Sequence, residues 1–193
     1  MFHAISEKIA EFIIGEKEEQ KDNREVLIYG IEILISDVVN LFVVLLTGLL
    51  FGHILCSLVF FISFAVLREK TGGYHADTHL KCNIVLAINT ILVMLVIKWF
   101  SAKDNIVVIV IAAAVFSGIV IGIFSPRDNV NKRLDAESKR KFKIQSLIIW
   151  FAMCIVMAIV EVLEFDEYLL AIASSMTSTA VAILITLFEE AKQ

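Results

Sequence analysis

Six long apolar runs dominate this chain, at roughly 27–50, 54–67, 83–100, 106–124, 145–163 and 168–188. A hydrocarbon layer about 30 Å thick is crossed by a helix of about 20 apolar residues, and most of the runs reach that length. None shows the short alternating pattern of a transmembrane barrel. One proline and eight glycines in 193 residues leave few interruptions, which favours helices. Hydrophobic residues make up 59% of the chain, against roughly half in a soluble domain. The expected fold is therefore all-α: a polytopic membrane helix bundle of about six segments, forming one membrane-embedded unit over residues 1–193. The run at 54–67 is short for a full span. It either extends upstream through Gly52 and His53 or sits where the bilayer thins.

Charge placement sets the expected orientation. With both termini in the cytoplasm, the inner segments hold Lys8, Lys17, Lys21, Arg24, Arg68, Lys70, Lys81 and Lys192. They also hold the seven basic residues Arg127, Lys132, Arg133, Lys139, Arg140, Lys141 and Lys143. Only Lys98 and Lys103 then fall outside, as the positive-inside rule requires. The short stretch Glu164-Phe165-Asp166-Glu167 is acidic and falls on the opposite side. Basic loop 125–143 reads as positive-inside charge in contact with anionic lipid, or as a dock for an acidic peptide.

Residues 1–26 carry charges of both signs and no continuous apolar core, so no cleavable signal peptide is expected. Within them Phe2, Ile5, Ile9, Phe12 and Ile13 recur at helical spacing. That pattern predicts an amphipathic helix, lying on the inner membrane surface or packed on the bundle. Cys56 and Cys154 fall inside apolar runs and read as small buried residues. With Cys82 they make an odd count at wide spacing, unlike a disulfide framework.

The polar break 68–82 reads Arg-Glu-Lys-Thr-Gly-Gly-Tyr-His-Ala-Asp-Thr-His-Leu-Lys-Cys. Cys82 is a candidate nucleophile, because a neighbouring histidine can convert a thiol to the reactive thiolate. On one straight helix His75 and Cys82 share a face but stand about 10 Å apart along the axis, too far to share a proton. The chain between them must bend if they cooperate, and Gly72-Gly73 supplies backbone freedom just before His75. His79, three residues before Cys82, could reach it on a plain helical turn, so spacing leaves both histidines open. A turn at Gly-Gly, an interfacial Tyr74 and solvated histidines would also account for the segment. His75, Asp77, His79 and Cys82 are all ligand types, which opens a metal-dependent peptidase as an alternative, although their spacing matches no common zinc pattern.

Arg68, three residues, Gly72-Gly73-Tyr74-His75, six residues and Cys82 together resemble the motif of the AgrB peptidases. These are the accessory-gene-regulator B membrane proteins of Gram-positive quorum sensing. The similarity extends to size, segment count, the N-terminal amphipathic piece and the basic loop after the fourth run. The resemblance implies that His75 and Cys82 are the catalytic pair of a thiol endopeptidase. It implies a small AgrD-like precursor peptide as substrate, cut on the cytoplasmic side, and a cyclic thiolactone or lactone as the product after export and trimming. The chain departs from the family in one respect: the basic loop has the single proline Pro126 where the family often has several.

Four supporting residues are expected beside the pair. Arg68 could hold a carboxylate through a bidentate contact or snorkel at the interface. Gly72 and Gly73 shape the turn, and backbone N–H groups near Gly73 could stabilise an oxyanion. Glu32, in the first run, could orient His75 or bind substrate. It projects about 140° away from Asp37 on a helix. Asp37 with Asn40, and likewise Asn83 and Asn89, read as a polar seam between helices. No cofactor, metal or nucleic-acid partner is expected; membrane lipid is, and a homodimer suits a small bundle. The intramembrane carboxylates keep a small transporter or accessory protein as a competing reading, but the paired broken helices of transporters are missing.

Overall fold

The computed structural model describes residues 2–14, 24–72, 79–101, 106–127 and 135–191. These form seven helices: α1 (Phe2–Ile14), α2 (Arg24–Phe51), α3 (Ile54–Thr71), α4 (His79–Phe100), α5 (Ile106–Phe124), α6 (Ala136–Val162) and α7 (Asp166–Glu190). No strand occurs among the described residues. Five helices (α2, α4, α5, α6 and α7) are long and apolar enough to cross a membrane. The all-α multi-pass bundle expected from the apolar runs is what the structure shows.

The short run at 54–67 is the point of difference. Its helix, α3, has 18 residues and places Arg68 and Lys70 in its last turn. At 1.5 Å per residue it is about 27 Å long. It does not continue upstream. Gly52 has φ +77°, its N–H donates to the Leu49 carbonyl at 3.1 Å, and the His53 N–H donates to the Gly48 carbonyl at 2.8 Å. That pair of bonds, with a left-handed glycine just past the helix end, is a Schellman stop. α2 and α3 therefore form a tight hairpin.

α7 is the axis of the bundle. It packs chiefly on α3 and α5 and also meets α6 and α4. Ala171, Ala173, Ser175, Ala180 and Ala182 are all buried along it, and such small side chains let helix backbones approach closely in a bilayer. One core joins α2 to α7, with Phe60, Leu67, Met94, Ile97, Ile121, Met176 and Ile183 fully buried. α4 and α5 follow each other in sequence but are not among the helix pairs that pack closely. The gap between them matters below.

α1 packs on α2. Ala10 meets Ile28 and Ile31 in a small second cluster. Arg24 donates to Glu7 and to Glu11, both at 2.9 Å. The stripe Ile5, Ile9, Phe12 and Ile13 faces outward, with Phe12 90% exposed. The helix thus docks on the bundle and keeps an apolar face free for an interface.

The basic loop is shorter than its expected span of 125–143. α6 begins at Ala136, behind Asp135 in an extended N-cap conformation. The sequence Ala-Glu-Ser-Lys-Arg-Lys consists mostly of good helix formers, so the helix runs out of the apolar region. Lys139, Arg140, Lys141 and Lys143 lie on it. Lys143 folds back to cap α5: its Nζ donates to the carbonyls of Ile121 at 3.0 Å and Ser125 at 2.8 Å, and also to Gly122. The Ile121 carbonyl also accepts the Ser125 N–H at 3.2 Å; carbonyls of a last helical turn otherwise lack intrahelical donors. Lys143→Met keeps the stem and removes the donors, and is expected to cost about 1–3 kcal/mol. Thermal unfolding in detergent, followed by far-UV circular dichroism, checks this; an unchanged midpoint would show that the cap carries no weight.

The bundle has two unlike ends. One gathers the C-termini of α3, α5 and α7 and the N-termini of α4 and α6, with Arg68, Lys70, Arg127, Lys139, Arg140, Lys141 and Lys143. The other carries the α2–α3 turn and the acidic α6–α7 turn with Glu164, Asp166 and Glu167.

Candidate active site

Cys82 is the fourth residue of α4, in its first turn at the basic end, and is half-buried. It opens onto a cavity of about 920 Å³. Arg68, from the last turn of α3, lines the same cavity, close enough to Cys82 for the two to interact electrostatically. Its guanidinium lies 5.3 Å from the centre of the Phe64 ring, a cation–π arrangement that holds the side chain along α3. Phe64 has a fixed place itself, stacked on Phe60 at 5.8 Å.

From Cys82 the cavity runs between α4, α5 and α7 as far as Val96, Ile109 and Leu170. Fourteen residues separate Cys82 from Val96 on α4, about 21 Å of depth. The walls are mostly apolar, with Arg68, Asp37, Asn40, Asn89, Ser174, Thr177 and Ser178 as polar groups among them. Ser178 donates to Asn89 Oδ1 at 3.1 Å. Ser36 donates to Asn83 Oδ1 at 2.8 Å and ties α2 to α4 beside Cys82. Asn40 Oδ1 is buried without a hydrogen-bond partner. An unpaired carbonyl oxygen next to an apolar slot is suited to accept an N–H from something that fills it. Of the expected seam, Asn83 and Asn89 make hydrogen bonds between helices, and Asp37 and Asn40 line the cavity.

Gly72 ends α3. Its N–H donates to the Arg68 carbonyl at 3.0 Å, and its φ of +67° lies in the region that favours glycine. The α5–α6 connection packs directly on it. The Arg127 N–H donates to the Thr71 carbonyl at 3.0 Å, and the Arg127 Nη1 reaches Glu190 Oε2 at 3.0 Å. Arg127 thus binds the ends of α3, α5 and α7 together. Sequence reasoning counted it only as one charge among seven, and no local signal marks it out.

The structure brings Arg68, Gly72 and Cys82 to one end of the bundle. Gly73 and His75 lie outside the described residues, as do Asp77 and the side chain of His79. The backbone of α4 starts at His79, so residues 79 and 82 do share a helical turn. Glu32 is half-buried on α2 and is not among the residues lining the cavity. It stands one turn from Ser36 on the face that meets α4.

A bundle of long apolar helices enclosing a slot lined by a thiol and a guanidinium defines a multi-pass membrane protein with an internal site. A family model described as "Accessory gene regulator B" matches residues 6–187, and the chain belongs to that family. An AgrB-like protein 2 of Clostridium perfringens (strain 13 / Type A) is 32% identical over 145 residues, 73% of this chain and 68% of its own. An AgrB-like protein of C. perfringens strain SM101 is 30% identical over the same shares. One from Halalkalibacterium halodurans is 28% identical over 68% of this chain and 64% of its own. The AgrB-like names of these relatives are themselves provisional. No solved structure matches the chain.

Proposed function

We propose that this protein is a membrane-bound cysteine endopeptidase that cuts the C-terminal part of an AgrD-like quorum-sensing precursor and closes the remaining peptide into a ring. Membership of the accessory gene regulator B family supports the quorum-sensing role. The observation that carries the chemistry is the placement of Cys82 and Arg68 together in the lining of a deep, mostly apolar cavity. The basic end of the bundle, which holds Cys82, faces the cytoplasm by the positive-inside rule.

In this reading His75, assigned from the family motif, takes the thiol proton. The Cys82 thiolate attacks a carbonyl of the precursor, the C–N bond breaks, and the amine of the tail leaves with a proton. An acyl thioester stays on Cys82. A thiol or hydroxyl of the same peptide then attacks the thioester carbonyl. The C–S bond to Cys82 breaks, the proton returns to the enzyme, and a thiolactone or lactone is released. Hydrolysis competes with ring closure, so a site recessed from bulk water favours the ring. The apolar walls take the precursor's apolar side chains, and Asn40 and Arg68 supply polar contacts. Backbone N–H groups in the first turn of α4 have no partner within the helix and suit the oxyanion.

Intact mass spectrometry of the purified protein, incubated with a candidate precursor, tests this directly. The expected result is a mass gain equal to the precursor minus its tail, removed by hydroxylamine. Tail release with no adduct under rapid quench would refute the thioester route. For Arg68, Arg68→Lys keeps charge and loses the planar fork. It is expected to lower kcat/KM for tail release by at least about tenfold, the scale of one lost charge-assisted hydrogen bond. Wild-type kinetics in Arg68→Lys would limit the residue to a topological role.

A further inference from the structure

At the acidic end of the bundle, far from Cys82, three metal-ligand types meet. His53 stands in the α2–α3 turn, Cys56 in the first turn of α3 and Glu167 in the first turn of α7. The His53 Nδ1 lies 3.0 Å from Glu167 Oε2. The Cys56 thiol donates to the same oxygen across 3.6 Å. All three ligand atoms lie within 4.8 Å of one another. We propose that His53, Cys56 and Glu167 form a site for a divalent transition-metal ion of the Zn²⁺ type, which would clamp α3 to α7.

Two of the three ligand distances suit that ion. Tetrahedral zinc with Zn–N and Zn–O near 2.0 Å and Zn–S near 2.3 Å sets N···O at about 3.3 Å and S···O at about 3.5 Å. The first pair would open by a few tenths of an ångström and the second would barely move. The His53 Nδ1 and the Cys56 Sγ lie within 4.8 Å of each other and would close to about 3.5 Å on a shared ion. Binding removes the Cys56 proton to solvent and forms a metal–sulfur bond, while neutral His53 gives its Nδ1 lone pair.

Charge balance favours occupation. Cys56 is 2% exposed, a place where an unpaired anion is costly. One thiolate and one carboxylate against a divalent ion make a neutral set. A thiolate–imidazole–carboxylate set selects Zn²⁺ or Co²⁺ over Mg²⁺ and Ca²⁺, which require oxygen ligands. Three protein ligands leave a fourth position. Glu167 also borders a polar hollow of about 320 Å³ that Glu164 and Asp166 share. Those carboxylates draw cations toward the site, and the hollow has room for a water or an external ligand in the fourth position.

Cys56 and Arg68 are twelve residues apart on α3, about 18 Å along the axis. The metal would act on the helix frame and not on the peptide chemistry, so this site stands or falls independently of the peptidase reading. Co²⁺ is the probe, added to the full-length protein in detergent and read by its thiolate-to-cobalt charge-transfer band. The decisive variant is the Cys82→Ser, Cys154→Ser double substitution, in which Cys56 is the only thiol left. The band is expected to persist there, to saturate at one Co²⁺ per chain and to be bleached by Zn²⁺. Loss of a second-shell partner already costs about 10- to 100-fold in metal affinity, so His53→Ala and Glu167→Gln are each expected to weaken binding by at least about tenfold. Zn²⁺ should raise the thermal midpoint of the double variant. Absence of the band in that variant at millimolar Co²⁺, or a band that His53→Ala and Glu167→Gln leave unchanged, would overturn the site.

Discussion

Cys82→Ala is expected to abolish both the acyl adduct and tail release, with a loss of roughly 10⁴-fold or more in rate, as removal of a covalent nucleophile does elsewhere. The fold should survive. Cys82 is only half-buried, and alanine is a good helix former at a position in the first turn of α4. Cys82→Ser is the sharper comparison. It keeps the size and exchanges sulfur for a much weaker nucleophile, so it too should be inactive. Neither Cys56→Ala nor Cys154→Ala should eliminate the adduct, because neither thiol lines the cavity. Adduct formation by Cys82→Ala would refute the assignment outright. Cleavage surviving in that variant and lost to a chelator would point to metal-assisted hydrolysis instead.

Gly72→Ala is expected to be the most damaging substitution that removes no functional group. Gly72 has φ +67° and ψ −155°, a region populated essentially by glycine alone, and forcing another residue there costs about 1–3 kcal/mol. An added Cβ would also stand 2.5 Å from the Arg127 carbonyl oxygen and 3.3 Å from its carbonyl carbon and amide nitrogen. That backbone cannot simply retreat, because the Arg127 N–H is bonded to Thr71 and its guanidinium to Glu190. The chain leading from α3 toward Gly73 and His75 must shift. Tail release should fall by at least about tenfold, since displacing a catalytic group by about 1 Å can cost 100-fold. The thermal midpoint should drop by a few degrees. Gly30→Ala is the control: nothing stands within 4 Å of its added Cβ, and alanine within a helix should be neutral or mildly stabilising. If Gly72→Ala matches the wild type in both rate and midpoint, the close contact with Arg127 does not shape the site.

Much of this was legible in the sequence, because membrane helices declare themselves by length and apolarity. Five of the expected spans are helices of the right length. The short run at 54–67 is a helix too, α3, and its shortness was read correctly as anomalous. The remedy of extending it upstream failed, because Gly52 stops α2 and His53 already belongs to the turn. α6 starts at Ala136, ahead of the apolar run at 145–163, because charge alone does not mark a loop. Lys and Arg are good helix formers, and charge at a membrane helix end marks the water boundary and not the end of the helix.

The candidate site divides along the same line. Arg68, Gly72 and Cys82 could be chosen from residue type and spacing within fifteen positions, since a nucleophile, a cation and a flexible turn in one polar break are local facts. The cavity that Arg68 and Cys82 share is not local. It exists because α4 and α5 diverge while α7 closes the far side, and Leu170, Ser178 and Ile185 reach the slot from about a hundred residues away. Lys143 and Arg127 look like interchangeable positive charges along the chain. Folding makes one the cap of α5 and the other the tie across three helix ends. His53, Cys56 and Glu167 carry no sequence signal at all, being separated by up to 114 positions. The sequence alone determined the medium this chain lives in and the segment that holds its candidate thiol, because hydropathy and short-range spacing are properties of contiguous residues. The shape of the slot, the caps and the second cluster were decided only by tertiary packing, because each depends on which faces of distant helices meet.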